Sequence, residues 1–192
     1  MEELKQRILR DGRIIDNRIL KVDNFLNHQI DTALVSRMGE EFARRFKDVK
    51  VDRIATIESS GIAIACAVSM AMGSVPVVFG RKRKSLLSVD DMYHASIYSY
   101  TKEETYDVIV SKKYLPAGES VLNIDDFLAS GEAALGMAKL ILQAQCKVAG
   151  IGIVIEKSFQ KGRGRLEEAG YRVESLARIA KFENDKPVFV AE

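Results

Sequence analysis

Short, unbroken apolar runs alternate with longer amphipathic stretches along this chain. Asp52–Glu58 (DRIATIE), Val75–Phe79 (VPVVF), Val121–Asp125 (VLNID) and Ala149–Ile155 (AGIGIVI) read as strands covered on both faces. Before the first, Met38, Phe42 and Phe46 recur every four residues; after the third, Ala133, Ala134, Met137, Leu140, Ile141 and Ala144 make the apolar stripe of a helix. This order predicts an α/β fold with a mostly parallel central sheet flanked by helices. Two regions resist the rhythm. Leu86–Ser111 is rich in tyrosine and alternates in strand-like patches, and is read as a flexible lid. Residues 1–35 hold a charged amphipathic helix ended by glycine (MEELKQRILRDG) but no core rhythm, and are read as a small N-terminal cap. No repeat, low-complexity tract or linker divides the chain, so residues 1–192 are expected to form one domain.

One apolar stretch imitates a membrane span. Gly61–Gly80 (GIAIACAVSMAMGSVPVVFG) is uncharged for nearly the length that crosses a bilayer, but Gly73, Ser74 and Pro76 break it into an Ala/Met-rich helical half and a Val-rich strand half. The N-terminus lacks the apolar core of a secretory signal. Cys66 and Cys146 each fall in apolar helical segments, as buried free thiols of a cytoplasmic protein would. Composition narrows the partners. With 47% hydrophobic and 29% charged residues, the 192-residue chain can bury a core, and 29 basic against 27 acidic side chains leave a formal charge of +2. That balance gives no general attraction to nucleic acid or anionic lipid, so an anionic ligand must be met locally. His28 and His94 are the only histidines, and no Cys/His spacing suits zinc; a metal here would be Mg²⁺.

Three strand ends offer that local chemistry, and ligands of open parallel sheets gather beyond the carboxyl ends of the strands. After DRIATIE come Ser59, Ser60 and Gly61 and a helix; after VLNIDD come Ala129, Ser130, Gly131, Glu132 and Ala133 and another helix. Both turns present free backbone N–H groups and a positive dipole end to an anion. After VPVVF stand Arg81, Lys82, Arg83 and Lys84. Two anion-cradling helix starts and a cationic run point to a ligand with phosphates at two ends. Asp125 and Asp126, side by side at a strand end where charge is costly, suit the 2′- and 3′-hydroxyls of a ribose whose 5′-phosphate sits on the Ala129–Ala133 turn.

VLNIDDFLASGEAA resembles the phosphoribosyl-pyrophosphate (PRPP) signature of the type I phosphoribosyltransferases: apolar strand, two acids, apolar pair, Ala-Ser-Gly, helix. With LKVDNFLNHQID, TIESSGI, RKRKS and GIGIVIEKSFQKGR, the resemblance covers essentially the whole chain and is to the bacterial salvage members that use xanthine. It implies a sheet flanked by helices, a lid over 86–111 and an N-terminal hood over 1–35 that contributes to a base site, commonly in a homodimer. It implies transfer of a 5-phosphoribosyl group from PRPP to N9 of a purine, with Mg²⁺ bridging pyrophosphate and ribose hydroxyls. Asp125 and Asp126 match its acid pair and Ala129–Ala133 its 5′-phosphate loop, where any side chain on Gly131 would crowd the phosphate. Ser59, Ser60, Gly61, Arg81 and Lys82 or Lys84 are then candidates for pyrophosphate, and Lys102 and Glu103 for lid contacts. Lys157 would meet the 6-position of the base, Asn27 and Leu20 its other edge, and Phe159 could stack on the ring. Adenine or guanine/hypoxanthine transfer is the neighbouring alternative. A PRPP-sensing transcription regulator is another, disfavoured because barely 35 residues precede the core and no basic face stands out.

Overall fold

The computed structural model describes residues 1–83, 91–99 and 103–191. From the N-terminus the chain forms α1 (Glu2–Asp11), a hairpin of β1 (Arg13–Ile15) and β2 (Ile19–Lys21), one π-helical turn (Asp23–Asn27) and α2 (Thr32–Arg45). The α/β part follows: β3 (Arg53–Ile57), α3 (Gly61–Ala71), β4 (Val77–Arg83), β5 (Met92–Ser99), β6 (Glu104–Ser111), β7 (Ser120–Leu128), α4 (Glu132–Gln143), β8 (Lys147–Lys157), α5 (Gly162–Glu168), β9 (Val173–Glu183) and β10 (Lys186–Phe189).

All four apolar runs are strands: β3 is one residue shorter than its run at each end, β4 is displaced toward the C-terminus, and β7 and β8 are longer than theirs. β4 runs on through Arg81, Lys82 and Arg83, so these cations belong to a strand and not to a turn after it. Arg81–Arg83 pair antiparallel with Asp107–Ile109 of β6, whose backbone groups continue the ladder beyond the apolar residues. β7 likewise continues to Leu128, leaving Asp126 inside the strand.

Among the described residues the large sheet runs β10-β9-β8-β7-β3-β4-β6-β5, parallel from β9 to β4 and antiparallel at both edges. The parts of the 86–111 span that are described are β5 and β6, an antiparallel pair at one edge; Ala95, Ile97, Val108 and Val110 bury one face of it with Met137 and Leu140 of α4. Residues 84–90 and 100–102, and with them Lys84 and Lys102, lie outside the described residues.

The first 35 residues contribute to the core although no single rhythm runs through them. Leu4 and Ile8 of α1, Val22, Phe25 and Leu26 are buried with Phe42, Ile64 and Leu176 in the core shared by α2, α3 and the sheet. Their spacing is irregular because a helix, two three-residue strands and a π turn each have their own period. Asp31 joins the hood to the body: its carboxylate caps α2 through Leu34 N–H (3.0 Å) and accepts from Arg7 (2.6 Å). The turns of the two small hairpins also bond each other, Asn17 N–H to Asp185 Oδ1 and Asp185 N–H to Asn17 Oδ1. Cys146 is buried but follows α4 rather than lying in it, and Cys66 on α3 is exposed. An all-apolar helix covers the sheet with one side only, so its other side, with Cys66 and Met70, meets solvent. Among the described residues no helix is long and apolar enough to cross a membrane.

Candidate active site

Strand order makes a crevice. The chain leaves β3 toward β4 on one side and returns to β7 on the other, so the loops after β3 and β7 part from each other at a topological switch point. The first of these loops is Glu58–Ser60, leading into α3 at Gly61; the second is Ala129–Gly131, leading into α4 at Glu132. Both predicted helix starts therefore flank one cleft.

The β3 loop is tied to β4. Glu58 accepts from Lys82 N–H (2.7 Å) and lies 3.9 Å from the Arg81 guanidinium, while Ile62 N–H donates to Ser59 O (3.2 Å). Ser59 is exposed, Ser60 half-buried and Gly61 buried directly against the Thr56 hydroxyl, which leaves no room for a side chain at Gly61. The Glu58–Ser59 peptide is cis. A cleft of about 340 Å³ separates Ser59, Ser60 and Ile62 from Asn27, His28 and Ile30 of the hood.

The acids lie across from the same hood. Asp126 Oδ2 accepts from the Asn27 amide (3.1 Å) and Asp126 Oδ1 from Phe127 N–H (2.9 Å). Asp125 is buried and accepts from Asp126 N–H (2.9 Å). Burial, then the charge of Asp126 and a hydrogen bond to it, push the Asp125 carboxyl well above the usual carboxylate range, with Lys82 pulling the other way. Tyr106 of β6 feels the same group: burial first and Asp125 second push its phenol up, and Lys82 Nζ lies 5.5 Å from its ring centroid. Neither Tyr106 nor Glu58 was read as a site residue from the sequence: Tyr106 reaches the crevice from β6, whose place in the sheet the sequence does not state, and Glu58 turns to β4 only through the fold.

The turn after β7 rests on α5. Gly131 has φ +87°, a left-handed conformation that favours glycine. A Cβ built on it would lie 3.2 Å from Gly162 Cα and 3.3 Å from Gly162 O, so a side chain at Gly131 meets α5 rather than the ligand side. Ala129, Ser130 and Ala133 are half-buried, and Glu132 pairs with Arg165.

The base-site candidates divide. Lys157, the last residue of β8, donates to Arg18 O in the hood hairpin (3.3 Å) and stands 5.8 Å from the Phe182 ring centroid; burial, then the charge of Arg18, lower its pKa. Phe159 is half-exposed and meets Phe182 edge-on at 5.4 Å, which makes Phe182 the aromatic neighbour the sequence did not reveal. Leu20 is 7% exposed and packs in the hood core. Glu156 faces inward. Its carboxylate accepts from Arg163, Ser158, Ser175 and Arg178, and although burial pushes it up, the Arg163 and hydroxyl hydrogen bonds hold it at about 2. Among the described residues no three His, Cys, Asp or Glu side chains gather as a metal site.

The chain matches the family described as phosphoribosyl transferase domain over residues 21–188. It belongs to the phosphoribosyltransferase family. This phosphoribosyltransferase is 54% identical over 190 residues to the xanthine phosphoribosyltransferase of an Exiguobacterium species, covering 99% of this chain and 98% of that one. It is 52% identical to the xanthine phosphoribosyltransferase of Leuconostoc mesenteroides, covering 99% and 100%. Among solved structures, the adenine phosphoribosyltransferase of Thermoanaerobacter pseudethanolicus superposes with a TM-score of 0.75 over 92% of this chain and 98% of that one. At 24% identity that likeness establishes the fold alone.

Proposed function

We propose that this phosphoribosyltransferase transfers the 5-phosphoribosyl group of PRPP to N9 of xanthine, forming XMP and releasing pyrophosphate, in purine salvage in the cytoplasm. The observation that carries the reading is the pair of helix-start turns on one crevice, one preceded by two acids and the other tied to a cationic strand, in a chain whose full-length relatives are xanthine phosphoribosyltransferases.

On this reading Ala129–Ala133 hold the 5′-phosphate, Asp125 and Asp126 the ribose hydroxyls, and Ser59, Ser60, Gly61, Arg81 and Lys82 the pyrophosphate; Lys84 would extend that cationic set. The C1′–oxygen bond breaks with its electron pair leaving on pyrophosphate, N9 supplies the pair for the new C1′–N bond, and the imidazole proton of the base passes to solvent. Arg81 and Lys82 offset charge gathering on the leaving group, while the turns fix both reactants in place. The Asp126 carboxylate fits Mg²⁺, a hard cation that takes oxygen ligands and few of them from protein. Bound with PRPP, that ion would add positive charge beside the pyrophosphate. Lys157 offers only donors, which suits the 6-oxygen of an oxopurine and opposes the amino group of adenine; Asn27, Leu20 and Phe159 complete the base site from the hood and the β8 loop. Closure of the 86–111 span would exclude water, the competing acceptor for PRPP. A homodimer is proposed as well, supported by the exposed apolar side of α3 at Cys66 and Met70.

The test is a panel of xanthine, guanine, hypoxanthine and adenine with PRPP and Mg²⁺. Xanthine is expected to give the highest kcat/KM. A preference for adenine would move the protein to the neighbouring activity, and no nucleotide from any base would reject catalysis in favour of a sensor. Sedimentation at assay concentration should give twice the chain mass; a fully active monomer would remove the dimer.

A further inference from the structure

The turn read as the 5′-phosphate loop is braced from behind by a segment that no ligand role has claimed. Gly162 N–H donates to Ala129 O (3.0 Å), and the Arg165 guanidinium donates to Ser130 O (2.7 Å). A peptide group is planar and trans, so its C=O and the N–H of the next residue point in opposite directions. Holding the Ala129 carbonyl toward α5 therefore turns the Ser130 N–H away from α5, and holding the Ser130 carbonyl turns the Gly131 N–H the same way. Those amides, with the unpaired N–H groups of the first turn of α4, are what a phosphate would meet.

Two more observations belong to the same brace. Glu132 places a carboxylate in the first turn of α4, beside where a phosphate dianion would sit, and Arg165 pairs with it. Like charges so close would weaken phosphate binding; the guanidinium offsets the nearer one. The brace is itself anchored, since Arg163 on the same segment is bound to the buried Glu156 at the end of β8 (2.7 to 3.0 Å). Gly162 allows the close seat: a Cβ there would collide with Ala129 O and lie 2.8 Å from Leu128 Cδ1.

Resting on the reading of Ala129–Ala133 as the 5′-phosphate loop, we propose that Gly162 and Arg165 are positioning residues for that phosphate: they hold two loop carbonyls on the α5 side so that the following amides face the ligand, and Arg165 offsets the charge of Glu132. The two phosphate ends of PRPP are affected differently, because Gly162 and Arg165 bond to the β7 turn. Arg165→Met in the full chain is expected to raise the Ki of ribose 5-phosphate and the KM of PRPP about tenfold, the effect of losing one hydrogen bond from a charged donor. The Ki of pyrophosphate and the KM of xanthine should stay within about twofold. Arg165→Lys, which keeps a charged donor, should recover most of the loss. Because the Arg165 side chain is 38% exposed, both variants are expected to melt near the wild type. Should Arg165→Met fail to fold, Arg165→Lys decides alone by a smaller rise confined to ribose 5-phosphate. An unchanged Ki for ribose 5-phosphate, or equal weakening of ribose 5-phosphate and pyrophosphate, would overturn the proposal. Wild-type protein that binds neither PRPP nor ribose 5-phosphate would instead reject the underlying activity.

Discussion

Burial separates Asp125 from its neighbour Asp126. Only Asp125 is enclosed, and desolvation together with the adjacent charge pushes its carboxyl well above the usual carboxylate range. An amide imitates a protonated carboxyl well and a carboxylate poorly. Asp126→Asn is therefore expected to lower kcat/KM for PRPP about 10- to 100-fold, and Asp125→Asn less than about fivefold, on the scale of a hydrogen bond to a charged group. Steady-state kinetics on the two folded variants checks this; equal losses would mean that Asp125 works as a carboxylate. Lys157 is a comparable case at the proposed base site. Lys157→Met should cut kcat/KM for xanthine roughly 10- to 1000-fold, because a site built around a donor leaves the base oxygen unpaired once the donor is gone, while the KM of PRPP hardly moves. A parallel rise in the KM of PRPP would show that Lys157 serves the hood, through Arg18, and not the purine.

The turn between β7 and α4 needs a left-handed residue at Gly131 in addition to its hydrogen bonds from α5. Gly131 at φ +87° sits where an ordinary residue loses about 1–2 kcal/mol, and the added Cβ would press on Gly162. Gly131→Ala is thus expected to lower unfolding free energy by about 1–2 kcal/mol and also to weaken PRPP, because the turn must shift off α5. Urea unfolding and a PRPP titration on the same preparation check both halves. Full stability with lost binding would restore the simpler picture of a side chain crowding the phosphate. β4 shows the reverse relation of chemistry to element: its cations are spaced by strand pairing with β6, not gathered in a loop, so that Arg81 stands beside Glu58 of the β3 loop and Lys82 over the Tyr106 ring.

At the level of the whole molecule, Glu156 joins three elements. Its buried carboxylate collects Arg163 from α5 and Ser175 and Arg178 from β9, and the folded state holds it at about 2 against an ordinary value of 4.5. A depressed carboxylate contributes stability above its unfolded pKa and loses it as pH falls toward the folded value. The expected contribution is roughly 3 kcal/mol above about pH 5, fading between about pH 4.5 and 2. Unfolding free energies of wild type and Glu156→Gln should therefore differ most near pH 6 and converge near pH 2.5. A difference that stays constant over that range would remove Glu156 from the acid response. The same ion-pair cluster fixes the α5 segment behind the β7 turn, so sheet stability and the geometry of that turn share one anchor.

Strand runs, helix starts and the acid pair were legible in the residues because their causes are local: periodicity and turn chemistry act within about a dozen positions. The strand and the helix start of the Val121–Ala134 stretch were readable within that span, as was the helix of residues 2–11. The tertiary structure alone decided what joins distant segments. Asn27 meets Asp126 across 99 positions, Arg165 reaches Ser130 across 35, and Phe182 closes on Lys157 from a strand that no apolar run announced. Strand order likewise decided that the β3 and β7 turns share one crevice, and burial decided that two adjacent aspartates differ. Such facts depend on which surfaces are excluded from water together, and that is a property of the packed chain and not of any window along it.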